Sequence, residues 1–319
     1  MKKLLLIGML TTSLSISAHA TCGAANCPII NFTPLSSNKW ELSLGYEYIN
    51  QDQVYVGDKR STIGAIPSHH DEVQTINRQY NLAAKYTLSP EWRIRLELPY
   101  IQRTHKHIHN HNGGQHFEEW QLDGLGDTNL FVDHLFSQSD TSKLALTLGL
   151  KLPTGKTGIK NDHGTIAEPN IQPGSGSVDY YLGLFLQHGI ATVPNLQKDY
   201  VMLPINIAAV YTIPTPGTDG WQFGNRLLAS IGTSYLISDK VSLDLDIFGK
   251  YQDIARAGNT HEDAGNTGGK WLYITPSVDL RLSKIVSVKT QIQYPLWQDV
   301  NGIQIVAPWN LRMDVNFRF

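Results

Sequence analysis

From residue 40 onward, apolar and polar side chains alternate in block after block. Trp40, Leu42, Leu44, Tyr46 and Tyr48 interleave with Glu41, Ser43, Gly45 and Glu47, and Trp92, Ile94, Leu96, Leu98 and Tyr100 with Arg93, Arg95 and Glu97. Leu144, Leu146, Leu148, Leu150 and Leu152 alternate with Ala145, Thr147, Gly149 and Lys151, and Val241, Leu243, Leu245 and Ile247 with Ser242, Asp244 and Asp246. The chain closes on Trp309, Leu311, Met313, Val315, Phe317 and Phe319, set between Asn310, Arg312, Asp314, Asn316 and Arg318. A repeat of 180° per residue belongs to a half-buried strand, not a helix. Strands of a soluble sandwich alternate too, but they run to about 5–6 residues. Here the runs reach ten or more, with aromatics near both ends. That is the height and the aromatic girdling of a barrel spanning an outer membrane.

The pattern predicts an all-β fold, a transmembrane antiparallel up-and-down β-barrel of about twelve strands, with ten and fourteen as the neighbouring counts. The strands fall near 39–50, 74–87, 92–103, 124–136, 143–153, 177–188, 200–212, 222–236, 241–251, 271–282, 286–296 and 303–319. Connections mostly alternate between long (51–73, 104–123, 154–176, 252–270) and short (88–91, 137–142, 283–285), which orients both termini toward the periplasm. The middle breaks the rule: 189–199 is long where a short turn is due, and 213–221 is short. Pro204 and Pro276 fall inside predicted strands although proline removes a ladder donor.

Residues 1–20 read as a signal peptide: Lys2 and Lys3, an apolar stretch from Leu4, then Ala18-His19-Ala20 as the cleavage site. This divides the chain into a leader (1–20), a periplasmic N-terminal segment (21–38) and a barrel (39–319), and predicts the outer membrane of a Gram-negative bacterium as its location. Composition fits. The 26 Lys and Arg against 28 Asp and Glu leave no nucleic-acid footprint. The mean hydropathy of −0.23 is too polar for a bundle of membrane helices, yet a strand wet on one side and lipid-facing on the other averages to such a value.

The stretches GLGDTNLFVDHLF (124–136), LALTLGLKLPTGK (144–156), IQPGSGSVDYYLGL (171–184) and YPLWQDVNGIQIVAPWNLRMDVNFRF (294–319) resemble the outer-membrane family named for the MetA pathway of phenol degradation. The resemblance implies a barrel of the transporter kind and carries over no catalytic or binding residue.

Sharper chemistry lies in the histidines. His105, His107, His109, His111 and His116 fall within twelve residues, His69 and His70 precede Asp71-Glu72, and His261 precedes Glu262-Asp263. Alternate residues of an extended strand sit about 6.6 Å apart on one face, so neighbouring imidazoles could share a Zn²⁺, Cu²⁺ or Ni²⁺ ion. Strand parity points His105–His111 toward the lumen mouth if the strand continues that far. Against this stands the plain polarity of an extracellular loop. His134 and His188 read as interfacial residues. Cys22 and Cys27, in an oxidising compartment, suggest a small-loop disulfide, with a thiolate metal site as the alternative.

Several motif fragments carry nothing. Gly155-Lys156-Thr157 lacks the earlier glycine of a phosphate loop, since position 150 is Leu, and Gly124-x-Gly126 lacks a third glycine. No outward Ser/His pair stands out of the kind an outer-membrane lipase would use. The reading is therefore a non-enzymatic channel or transporter for a small solute, needing no cofactor, with lipid and solute or metal ion as partners. The inward charges either line a water-filled channel or pair and fill the lumen. A non-conducting metal-binding or structural barrel is the alternative, and a lipid-modifying enzyme the third reading.

Overall fold

The computed structural model describes residues 38–65, 71–111, 114–139, 141–161, 164–194, 201–260 and 264–319. The predicted leader, Cys22, Cys27, His69, His70 and His261 lie outside these residues. Fifteen strands follow in order: β1 (Trp40–Gln51), β2 (Gln53–Gly57), β3 (Lys59–Arg60), β4 (Asp71–Thr87), β5 (Trp92–His111), β6 (Gly114–Leu125), β7 (Thr128–Gln138), β8 (Ser142–Leu152), β9 (Asp179–Val193), β10 (Val201–Pro214), β11 (Arg226–Ser238), β12 (Val241–Gln252), β13 (Gly269–Arg281), β14 (Val286–Val306) and β15 (Asn310–Arg318). Twelve of them close an antiparallel barrel, from β1 through β4, β5 and β7 to β15, with β15 returning to β1. The other three stand above one rim: β6 pairs with the far half of β5, β2 with the far end of β14, and β3 with β2.

The alternation read from the sequence becomes an inside-out protein. In β8, Leu144, Leu148, Leu150 and Leu152 are exposed on the outer wall, whereas Lys143, Ala145, Thr147 and Lys151 are buried inside. Around the whole barrel the exposed side chains are Leu, Ile and aromatics, and the buried ones are largely Asp, Glu, Lys, Arg, Asn and Gln. Hydrocarbon replaces water outside, so apolar exposure costs nothing there, and polar groups turn inward to find partners. Two aromatic girdles bound the apolar band. Trp40, Trp92, Phe136 and Phe319 stand exposed at the short-turn end, and Tyr100, Tyr180, Tyr211, Tyr251, Tyr294, Trp297 and Trp309 toward the other.

All twelve predicted strands are present, with three corrections. The long loop expected over 104–123 is the β5–β6 hairpin, because the alternation of the barrel wall runs on through the histidines. The single strand expected over 303–319 is divided: residues 303–306 finish β14, Pro308 falls in the connection, and β15 starts at Asn310. The irregular middle disappears, since β9 runs on to Val193 and β11 starts only at Arg226, leaving 194–200 as the shorter connection and 215–225 as the longer. Pro204 and Pro276 do sit within strands, each at a break in a ladder. The β9–β10 register shifts at Leu203/Pro204, and the β13–β14 pairing passes from Ile274 to Ser277.

Candidate functional site

The lumen is lined by buried polar and paired charged side chains, with one cluster of apolar rings among them. On β1, β4, β5, β14 and β15 charges are buried in pairs: Lys85 with Glu41 at 2.7 Å, Arg312 with Asp314 at 2.8 Å and Glu47 at 3.6 Å, and Arg95 with Glu97 at 3.5 Å. Lys289 reaches across to Asp244 of β12 at 2.8 Å. Gly45 makes room for the central pair: a Cβ there would lie 2.7 Å from an Asp314 carboxylate oxygen and 3.3 Å from Arg312 Nη2. From β7 to β14 the inner wall is mixed: Phe131, Tyr181, Phe185, Val210, Leu228, Phe248, Trp271 and Tyr273 form an apolar cluster among buried polar side chains such as Asp133, Lys143, Arg226 and Asp244. Cations lie over rings of this cluster, Arg95 4.4 Å over the Phe131 ring and Lys250 4.1 Å over Trp271.

At the mouth opposite the chain ends, β5 does continue as the parity argument required. His105 and His107 both point inward and are buried. Their rings contact each other, His105 Nε2 to His107 Nδ1 at 3.1 Å, and Thr75 Oγ1 lies 2.8 Å from His105 Nδ1. Glu72 approaches His105 at 3.3 Å and Glu118 approaches His107 at 3.5 Å. The two carboxylates come from β4 and β6, the strands paired on either side of β5, and the sequence reading did not associate Glu118 with the histidines. The backbone of His109 pairs with that of His116, and His111 with Gly114; the His116 side chain is exposed. Among the described residues, no group of three or more His, Cys, Asp or Glu is arranged to hold a metal ion.

Beside this cluster the later part of the connection between β8 and β9, residues 167–175, folds inward. Ala167 and residues 169–175 are buried, and Ala167 and Ile171 pack with Trp120 and Leu122 of β6. Arg103, on the inner face of β5, donates to the carbonyl oxygens of Ile171 and Gln172. The base of this strap is a buried polar node. Asp127, in the β6–β7 turn, accepts from the amides of Gly155 and Ser175, each at 2.9 Å, and from the Ser175 hydroxyl. Lys151 Nζ donates to Asp179 at 2.7 Å, Ser175 at 2.7 Å and Ser177 at 3.0 Å, and lies 3.6 Å from Asp127. Gly155 and Gly174 cross here so closely that a Cβ on Gly174 would sit 2.4 Å from the Gly155 carbonyl carbon. Gly155, which failed as part of a phosphate loop, is one side of this crossing, and Gly174 is the other. The signal was in the sequence as three Gly-bearing stretches ending strands, but nothing local said that they meet.

On the outer wall, Ser142 and His188 are register partners on β8 and β9, with Ser142 Oγ 2.6 Å from His188 Nδ1. This outward Ser/His pair corrects the reading that none stands out. A nucleophile needs its base oriented by a third group, and among the described residues no carboxylate contacts His188. His134 lies between Trp92 and Phe136, with ring centroids 4.2 and 4.6 Å away, as an interfacial residue.

A closed twelve-stranded barrel with an apolar exterior, aromatic girdles and an ionic interior has the fold of Gram-negative outer-membrane barrels. Solved structures agree. An outer-membrane channel from Pseudomonas putida F1 is similar with a TM-score of 0.65 at 12% identity, over 90% of this chain and 97% of that one. The transport unit of the autotransporter AIDA-I from Escherichia coli is similar with a TM-score of 0.51 at 8% identity, over 91% and 93%. At such identities the likeness shows the fold alone. No family model and no curated protein matches the sequence, so the resemblance to the MetA-pathway family rests on the stretches quoted for it.

Proposed function

We propose that the protein is a non-enzymatic outer-membrane channel for a small solute that carries both an apolar face and polar groups, with its short turns and both chain ends in the periplasm. The apolar cluster set in an otherwise polar lumen carries this reading. A cluster of apolar rings on the lumen wall serves no purpose for simple ions, and the charge pairs around the lumen offer fixed dipoles to polar groups of a passing molecule. No cofactor is needed for such passage. The test is conductance in planar bilayers together with uptake into proteoliposomes, comparing small aromatic acids with sugars of equal size. Faster entry of the aromatic acids is the expected result, and the absence of both conductance and uptake refutes the reading.

A second reading, capture of a divalent transition metal at the mouth, draws on one observation: two buried imidazoles in contact, each with a carboxylate beside it. His105 and His107 would have to exchange their mutual contact for the ion, and His109, His111 and His116 would extend the site along the same hairpin. His69, His70 and His261 are weaker candidates, and Cys22 and Cys27 a candidate disulfide. Zn²⁺ or Cu²⁺ titration by calorimetry, with the chelator-stripped protein and its His105→Ala/His107→Ala variant, decides it; equal affinity in the two removes the metal.

A further inference from the structure

We infer that the Ala167–Ser175 strap is the size-selecting constriction of the channel, latched shut from the inside by Arg103 and by the Asp127 node. This rests on the transport reading and adds to it the residues that set the limit on solute size. Three observations lead here. The strap is buried against β6 and against Arg103 on the inner face of β5, not laid exposed over the rim, which sets it on the path of a solute entering the mouth. Its middle is held by a side chain of the barrel wall: Arg103 grips two successive backbone carbonyls, a contact that does not depend on which residues the strap carries there. The connection that carries it is pinned on both sides by Asp127, whose carboxylate takes the amide of Gly155 before the strap and the amide and hydroxyl of Ser175 at its end. A loop needed only to link β8 to β9 could run over the surface, where its backbone would be solvated by water. This one carries its polar backbone inside, and the wall supplies matching donors and acceptors.

The geometry makes the latch a specificity device. Releasing Arg103 frees the middle of the strap while Asp127 still holds Gly155 and Ser175, so the mouth widens without loss of the barrel. Removing the strap widens it fully.

The experiment compares the full-length protein, Arg103→Leu, and a variant in which residues 167–173 are replaced by Gly-Ser-Gly. Each is checked for heat-modifiable migration in detergent as a sign of a closed barrel. Single-channel conductance and the size cut-off for uptake by proteoliposomes are then read for neutral oligosaccharides of increasing length. We expect a several-fold rise in conductance and entry of larger sugars in the strap-shortened variant, and an intermediate, more fluctuating conductance for Arg103→Leu. Folded variants that conduct like the parent, with the same cut-off, overturn the strap as constriction and leave the channel reading standing. Should Arg103→Leu fail to close its barrel, the strap-shortened variant alone decides. No conductance or uptake in any of the three sinks the transport reading and this inference with it.

Discussion

Replacing Lys151 by Met tests the buried node most directly. The lysine is fully buried, and its ammonium group has two carboxylates and two hydroxyls around it, at 2.7 Å from Asp179, 2.7 Å from Ser175, 3.0 Å from Ser177 and 3.6 Å from Asp127. Methionine nearly matches the stem in volume, so the change removes charge and leaves little cavity. Each hydrogen bond to a charged group contributes about 1.5–3 kcal/mol. Those values do not add, since Ser175 keeps Asp127 and Ser177 keeps Asp179 as partners. The larger effect is electrostatic: Asp127 and Asp179 remain buried without the cation between them, and breaking such a pair costs about 3–5 kcal/mol. At about 1.4 kcal/mol per decade, the unfolding equilibrium should rise by roughly two to four decades. Urea unfolding from lipid vesicles, followed by tryptophan fluorescence, reads this out, the chain having seven Trp. The double variant Lys151→Met/Asp179→Asn should recover at least about 0.5 kcal/mol of the loss, because residues in one network couple by about that much or more. A loss under about 1 kcal/mol for Lys151→Met, or no recovery in the double variant, would refute the claim that this node holds the strap.

Leu148 is 53% exposed in the middle of β8, and on the proposed orientation it faces hydrocarbon. Leu148→Arg should therefore destabilise the folded protein in vesicles by about 2–4 kcal/mol. The same change at a water-facing position would be nearly silent, so a cost near zero means that this wall does not meet lipid. If the mouth binds Zn²⁺, affinity should fall steeply as the buffer is taken from pH 7.5 to 5.5, because only a neutral imidazole ligates and the free side chain titrates at about 6.5. Binding that is flat across that range points to ligands other than histidine. Ser142→Ala should leave phospholipid turnover by the purified protein at the background level of the parent, and fluorophosphonate probes should label neither protein; labelling that disappears with Ser142 would revive the lipid-enzyme reading.

The barrel was legible because its cause is local. Each strand declares its two faces by alternation, and twelve such runs with polar interiors can close only on one another. The connections were less legible because a strand does not stop where the membrane does. In β5 the alternation continues from Arg103 through His105 and His107, and hydrogen bonding continues with it into β6, so a stretch rich in His, Asn and Gly that reads as a loop is a hairpin wall. The same continuation turned His105 and His107 from loop residues into buried ones, as the parity of Arg93, Arg95 and Glu97 implied for a strand that runs that far.

The strap could not be read at all, for a physical reason. Gly126, Gly155 and Gly174 are spread over two connections, and each is ordinary for a turn next to a strand. What makes them specific is that the carbonyl carbon of Gly155 lies where a Cβ of Gly174 would be, and that the space beside Gly126 holds Pro99, Ile101 and the Pro173 carbonyl. Close backbone approach leaves its mark on the sequence only as the absence of a side chain, and that absence has many causes. Asp127 is equally quiet in the sequence, a turn aspartate like many others. Its function comes from its neighbours: with Lys151 at the top of β8 and Ser175 at the end of the strap, the same carboxylate joins the β6–β7 turn, the barrel wall and the inward loop. The strap is thus held by strand ends that the barrel has already fixed, so its position follows from closure of the barrel and not from any preference of its own residues.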